Sequence, residues 1–292
     1  MPTEQPDTLR WSQKAFIALQ YFLPQIALTR LVGWLMQRES RWLKNTIING
    51  FVKSFSVNTN EAEKPVPDGY PSMNAFFTRA LRAGARQVDQ AADSIVAPCD
   101  GVVSQCGVIN DGRLIQAKGF KYQCSELLAD DDAREYYDGG QFMTIYLAPY
   151  DYHRVHTPMA GRIVTHRHVP GALFSVNQVT AAAVPRLFAR NERRVFEIND
   201  GQSVTALVMV GALNVGSIST VWDDALDAGS LNYISKRKLP DTAFEKGATL
   251  GWFNMGSTVI LLWPRGYAQW SETHAAGDVL RMGDVIALRR ID

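Results

Sequence analysis

The hydrophobic period of this chain changes once along its length, and that change limits what the chain can fold into. Over residues 10–55 apolar side chains recur every three or four positions: Trp11, Ala15, Leu19 and Phe22, then Leu28, Leu31, Val32 and Leu35, then Ile47, Ile48, Phe51, Val52 and Phe55. This is the spacing of amphipathic helices. Pro24 has no N–H to give and should break or kink the first of them. From about residue 94 the period is two. Runs at 95–97, 101–108, 113–117, 142–147, 162–169, 194–198, 203–212, 215–221, 249–253, 258–263 and 279–289 read as short strands. Asp111-Gly112 and Asp200-Gly201 mark hairpins, and Gly283-Asp284 should turn the last run back on itself. Between the two regimes, residues 61–71 concentrate Pro, Gly and charge as a linker does, and 72–81 reads as a short helix with Ser72 as N-cap. The expectation is an α+β chain: a helical segment at 1–60, then a β-rich domain at 61–292 of barrel- or sandwich-like sheets.

Charge and cysteine content narrow the function classes. The formal net charge is +1, which supplies no overall pull toward nucleic acid. Cys99, Cys106 and Cys124 lack C-x-x-C spacing, so neither a disulfide framework nor a zinc site is expected. The N-terminus lacks the order of a secretory signal, and apolar runs such as 16–19 and 31–36 fall far short of the roughly 20 residues of a spanning helix. A cytoplasmic chain that does not cross a membrane is the expectation. Along residues 10–55 the polar positions lean basic, with Arg10, Lys14, Arg30, Arg38, Arg41, Lys44 and Lys53 opposed to Trp and Phe. Such a helix can lie in a bilayer interface or simply pack on the rest of the protein.

Three short segments carry chemistry. Gly256-Ser257-Thr258 lies between two apolar strand-like runs. Its plain meaning is a tight turn, but a Gly before a Ser also presents an unhindered carbonyl that the hydroxyl can attack in an N-to-O acyl shift. Elimination from that ester leaves dehydroalanine, which hydrolyses to a pyruvoyl group. Tyr152-His153-Arg154-Val155-His156 supplies two imidazoles at i, i+3. They converge if the segment is a helical turn, as the flanking Pro149 and Pro158 suggest, and diverge if it is a strand. Paired His also bind metals, although no third ligand stands nearby, and no metal is expected. Asp100, in Ala97-Pro-Cys-Asp-Gly101, sits between two strands, where Asp-Gly is commonly a turn but could orient a His. The order Asp100, His156, Ser257 also suits a serine hydrolase, though the G-x-S-x-G elbow is missing. Residues 277–287 resemble a strand–turn–strand of a biotinyl or lipoyl carrier, but without the modifiable Lys.

Several motifs together resemble the bacterial phosphatidylserine decarboxylases: Asn74-Ala-Phe-Phe-Thr-Arg79, Ala97-Pro-Cys-Asp-Gly101, Tyr152–His156, Val169-Pro-Gly-Ala-Leu-Phe-Ser-Val-Asn177, the stretches at 187–193 and 210–217, and the Gly-Ser-Thr site. The family's usual Leu before Gly-Ser-Thr is Met255 here, a change of little volume. The resemblance implies self-cleavage between Gly256 and Ser257, with Asp100 and His156 activating Ser257, which becomes a covalent pyruvoyl group. That group acts as the electron sink when phosphatidylserine loses its carboxylate as CO₂. His153 would protonate the resulting carbanion, its imidazole being near its ordinary pKa, and Phe174 and Ser175 would line the substrate site. The resemblance also implies a homodimer, and a peripheral enzyme on the cytoplasmic face of the cell membrane that meets the anionic surface through residues 10–55.

Overall fold

A computed structural model describes residues 10–213, 218–222, 233–237, 243–254 and 257–290. The helical period is realised as α1 (Trp11–Phe22), α2 (Gln25–Met36) and α3 (Arg41–Phe55). The break falls at Pro24: Leu23 before it is extended, as a residue preceding proline prefers, and α1 and α2 meet at 93°. No single helix is long and apolar enough to cross a membrane. Lys44, expected on the polar face, is turned inward and donates to Asn45 Oδ1 (2.7 Å) and the Pro67 carbonyl (3.3 Å). The Ser72 cap is present, its Oγ accepting from the Ala75 N–H at 3.1 Å, but it opens only one helical turn and a half, α4 (Met73–Phe77). Ile48 of α3 packs on Met73, Phe76 and Phe77 of α4 in a small apolar cluster of its own.

Beyond residue 94 the chain is β-rich, so the molecule is α+β. A nine-stranded sheet of antiparallel neighbours runs in the order Ser235–Arg237, Gly161–Val169, Arg193–Asn199, Val204–Val210, Ser257–Trp263, Gln141–Leu147, Gly101–Val108, Val279–Leu280, with Ala243–Phe244 also paired to Gly161–Val169. Its central strand, Ser257–Trp263, is buried at every position, which is why its sequence is a continuous apolar run rather than an alternation. A three-stranded sheet of Ile218–Thr220, Thr249–Phe253 and Arg154–His156 adjoins it.

What positions the site is the way three neighbouring chain segments pass from one sheet to the other. Leu147 leads to Arg154, Phe253 leads to Ser257, and Val210 leads to Ile218. Their registers match: Ser257 is opposite Leu147, Thr258 is opposite Val210, and Trp252 is opposite Arg154. Ser257, Thr258 and His156, at the facing ends of the two ladders, are buried.

Local turn chemistry was legible, but the pairing differed. Asp111 and Gly112 both have positive φ (54° and 65°), as a type I′ turn requires, yet only the Asn110–Arg113 bridge forms. Gly101–Val108 goes on to pair with Gln141–Leu147, while Arg113–Ala117 pairs with Phe120–Gln123. At the C-terminal end, Gly283 (φ 99°) does turn the chain, but Val279–Leu280 and Val285–Arg289 join different sheets, so no carrier-like hairpin exists. The Asp200-Gly201 hairpin is present, joining Arg193–Asn199 to Val204–Val210. The strand expected at 215–221 is seen as Ile218–Thr220, its earlier part lying outside the described residues. The cysteines form no disulfide.

Candidate active site

Ser257 opens the central strand at the sheet junction. It is fully buried, and its Oγ makes no hydrogen bond to any described residue. Gly256 and Met255, the other residues of the expected cleavage site, lie outside the described residues. The approach to them is fixed, however. Asn254 donates from Nδ2 to Ser219 Oγ (3.0 Å) and accepts at Oδ1 from Asn74 Nδ2 (3.1 Å), which ties the segment before Ser257 to both α4 and the small sheet.

The His pair adopts the divergent arrangement. Arg154–His156 is a strand, not the helical turn that Pro149 and Pro158 suggested, because Val155 is drawn into the core and the segment pairs with Thr249–Phe253. At i, i+3 in extended chain the two rings face opposite ways. The His153 carbonyl accepts from the Phe253 N–H at 3.1 Å, four residues before Ser257. Its ring stacks on Phe77 of α4, with centroids 4.0 Å apart and planes at 23°. Neither ring nitrogen has a well-formed hydrogen bond among the described residues, and burial, aided by the nearby Arg79 charge and only partly opposed by the Pro149 and Ala148 backbone, takes the pKa down to about 3. The resting ring is therefore neutral rather than poised near its ordinary value.

His156 is held at both nitrogens. Nδ1 lies 2.8 Å from the Gly247 carbonyl and Nε2 lies 3.0 Å from the Tyr152 hydroxyl. A carbonyl can only accept, so the proton belongs on Nδ1, and Nε2 keeps its lone pair for the phenol O–H. Burial lowers its pKa too, partly opposed by the Gly247 carbonyl, so the ring is a neutral base. Asp100 is near but not bonded to the ring: the His156 backbone N–H donates to the Pro98 carbonyl (2.8 Å), and the Asp100 charge favours the imidazolium. The Asp100 carboxylate accepts instead from Arg86 at both oxygens (Nε to Oδ1, 2.8 Å) and from the Met282 N–H (2.9 Å). Arg86 reaches on to Glu61 at 2.9 Å.

Phe174 and Ser175 occupy a loop over the same edge of the junction. The Phe174 carbonyl accepts from Asn191 Nδ2 (2.8 Å) and from the Leu213 N–H (3.4 Å), in the segment that follows Val210. Gln25 and Gln20 hold the Leu173 and Ser175 N–H groups at 2.8 Å each, so the α1–α2 elbow is keyed to this loop. Phe174 also lies 5.0 Å from Tyr21 and borders a cavity of about 550 Å³ under the elbow. Among the described residues no group of His, Cys, Asp and Glu could hold a metal ion.

The family model described as Phosphatidylserine decarboxylase matches residues 73–288, and a shorter one described as PSD matches residues 15–56. The chain belongs to the phosphatidylserine decarboxylase family. It is 45% identical over 285 residues to the phosphatidylserine decarboxylase proenzyme of Ectopseudomonas mendocina (strain ymp), covering 94% of this chain and 98% of that one. The proenzymes of Marinobacter nauticus and Saccharophagus degradans are 44% and 45% identical, each over 93% of this chain and 96% of theirs. Family membership makes this chain a decarboxylating enzyme. Asn74, Phe77, Arg79, Arg86 and Tyr152 also belong to the site, and sequence reasoning passed over their roles. Asn74, Phe77 and Arg79 lie on or just after α4, which was read only as a short helix and which the Asn74–Arg79 motif marked.

Proposed function

We propose that this enzyme decarboxylates phosphatidylserine to phosphatidylethanolamine with a pyruvoyl group that it makes from its own Ser257 by cutting the Gly256–Ser257 bond. The observation that carries this reading is the Ser257 hydroxyl, fully buried and without a hydrogen bond to any described residue, on a chain segment whose Phe253 N–H is bonded to the His153 carbonyl. An orphaned buried hydroxyl costs stability, and such groups persist where chemistry uses them. In the processing step, Ser257 Oγ attacks the Gly256 carbonyl and the C–N bond breaks to give an ester and a free amine. Elimination then breaks the Ser257 Cβ–O bond, leaving a carboxylate on Gly256 and dehydroalanine at 257, and water releases ammonia from the latter. His156, with Nε2 unprotonated, is the base, and Asp100 is the fixed charge that favours the imidazolium it becomes. Once present, the pyruvoyl group supplies the sink for the electron pair that remains when CO₂ leaves. His153 returns a proton to that carbon; the substrate's own negative charges, brought beside the ring, favour the imidazolium it needs. Phe174 and Ser175 border the substrate.

The test is the intact mass of purified wild-type protein. Two chains are expected, residues 1–256 and 257–292, with the second lighter than its serine form by the mass of ammonia. A single uncut chain with full activity would reject the reading.

The same proposal places the enzyme on the cytoplasmic face of the membrane through residues 10–55. Trp11, Phe22 and Trp42 are 83%, 87% and 77% exposed, and Arg38 lies over Trp34 at 3.9 Å. Aromatic side chains beside cations suit an anionic interface. Trp42→Ser should lower the partition constant onto phosphatidylserine-containing vesicles by roughly tenfold, a change of about 1.4 kcal/mol; unchanged flotation would remove α3 from the contact. The resemblance further proposes a homodimer, which a monomeric mass by light scattering would exclude.

A further inference from the structure

Arg79 follows α4 by two residues, and it is 4% exposed. Its Nε and Nη1 make no hydrogen bond to any described residue, and Nη2 reaches only the Tyr150 carbonyl at 3.5 Å. The Phe76 ring, 5.0 Å from the guanidinium carbon, is a weak substitute for a counter-charge. A cation taken this far from water calls for an anion. The neighbouring Asp100 and Glu61 charges favour the cation from a distance, but no acid among the described residues hydrogen-bonds it. Glu61 and Asp100 are both bound by Arg86, and Asp151 Oδ2 accepts from the Ala148 N–H at 2.7 Å. Arg79 borders a cavity of about 200 Å³ whose wall includes Asp100, Tyr150, Asp151 and Tyr152. Tyr152 is the phenol on His156, and Phe77, two residues before Arg79, stacks on His153, so this cavity has Asp100 in its wall and lies one hydrogen bond from His156.

We propose that Arg79 receives the phosphodiester of the lipid headgroup and that this cavity is the headgroup subsite, an assignment that rests on the function proposed above. The substrate offers two oxyanions, its carboxylate and its phosphodiester, and the chemistry separates them. A fixed guanidinium on the carboxylate would stabilise the charge that must disappear as CO₂ leaves, and so would favour the ground state over the transition state. The phosphodiester keeps its charge throughout, so binding energy taken there orients the headgroup without opposing the reaction. Arg79 is a binding residue in this assignment, one loop away from the base.

The experiment compares wild type, Arg79→Gln and Arg79→Lys in mixed micelles. Processing is read by intact mass and fold by thermal melting. Dihexanoyl-phosphatidylserine is the substrate. Short-chain phosphatidylethanolamine, with a phosphodiester and no carboxylate, and an O-acylserine, with a carboxylate and no phosphodiester, are the inhibitors. Arg79→Gln should still split. Its KM should rise roughly ten- to hundredfold with kcat within about threefold, the effect of losing charge-assisted hydrogen bonds to substrate. Phosphatidylethanolamine inhibition should weaken by a similar factor, the O-acylserine should be unaffected, and Arg79→Lys should recover part of the loss. An unchanged KM, or weakened O-acylserine inhibition with phosphatidylethanolamine untouched, would overturn the assignment. So would two variants that both stay uncut or both lose the fold, since Arg79 would then serve the proenzyme. A wild type that neither splits nor turns over breaks the functional reading itself, whereas the outcomes above break only this one.

Discussion

The two ends of the central strand hold two buried polar clusters built on opposite terms. At the Trp263 end, Trp263 Nε1 donates to Gln141 at 3.1 Å, and Asp200 collects donors from Tyr267 (2.6 Å), Arg289 and the Gln202 and Ser203 N–H groups (3.0 Å each). Burial works against the Asp200 charge, but those donors more than offset it and hold the carboxyl below its usual range. At the Ser257 end the Ser257 and Thr258 hydroxyls, both nitrogens of His153 and two nitrogens of Arg79 have no partner among the described residues. The same strand thus ends in a network centred on a fully engaged carboxylate that secures the fold, Arg289 Nε alone in it lacking a partner among the described residues, and in a largely unsatisfied one that is available for reaction.

Three variants can break or sharpen that contrast. The largest effect falls on processing: Ser257→Ala should abolish cleavage completely while changing stability by no more than about 1 kcal/mol, since it deletes a hydroxyl that bonds to no described residue. A strongly destabilised Ser257→Ala protein would mean that this end is structural as well. Asp200→Ala should show the reverse, a loss of about 3–5 kcal/mol from stranding the largely buried Arg289 and Tyr267, with self-cleavage still complete below its melting temperature. Calorimetry and intact mass on one sample separate the two. The smallest effect is a pH slope. The folded pKa of His153, about 3, lies below the unfolded value of 6.5, so the unfolded chain takes up the proton first and stability falls as pH drops from 6.5 toward 3. In the uncut Ser257→Ala background, replacing His153 by Asn should remove about 2 kcal/mol of that loss between pH 6.5 and 4.5. Parallel melting curves for the two would show that His153 is not desolvated as described.

Much of this was visible before any fold. The period change separated helices from sheet, Pro24 set the elbow, Ser72 capped α4, and the bounds of Gly101–Val108, Arg113–Ala117 and Thr249–Phe253 came directly from alternation. Family motifs pointed to Asp100, His153, His156 and Ser257. Less legible were the partners. The i, i+3 spacing of the histidines was read as a turn because two prolines flank it, and pairing with Thr249–Phe253 decided otherwise. The carboxylate partner expected for His156 is supplied by the Gly247 carbonyl and Tyr152, while Asp100 is held by Arg86.

The sequence by itself determined which residues carry reactive groups and which segments prefer helix or strand, because propensity, turn chemistry and hydrophobic period act over a few neighbouring positions. Only the tertiary structure decided that His153 is desolvated against Phe77, that Arg79 is buried with two nitrogens unpaired among the described residues, and that Ser257 lies where three segments leave one sheet for another. Those properties depend on contacts between residues some 70 to more than 100 positions apart, and no local pattern records them.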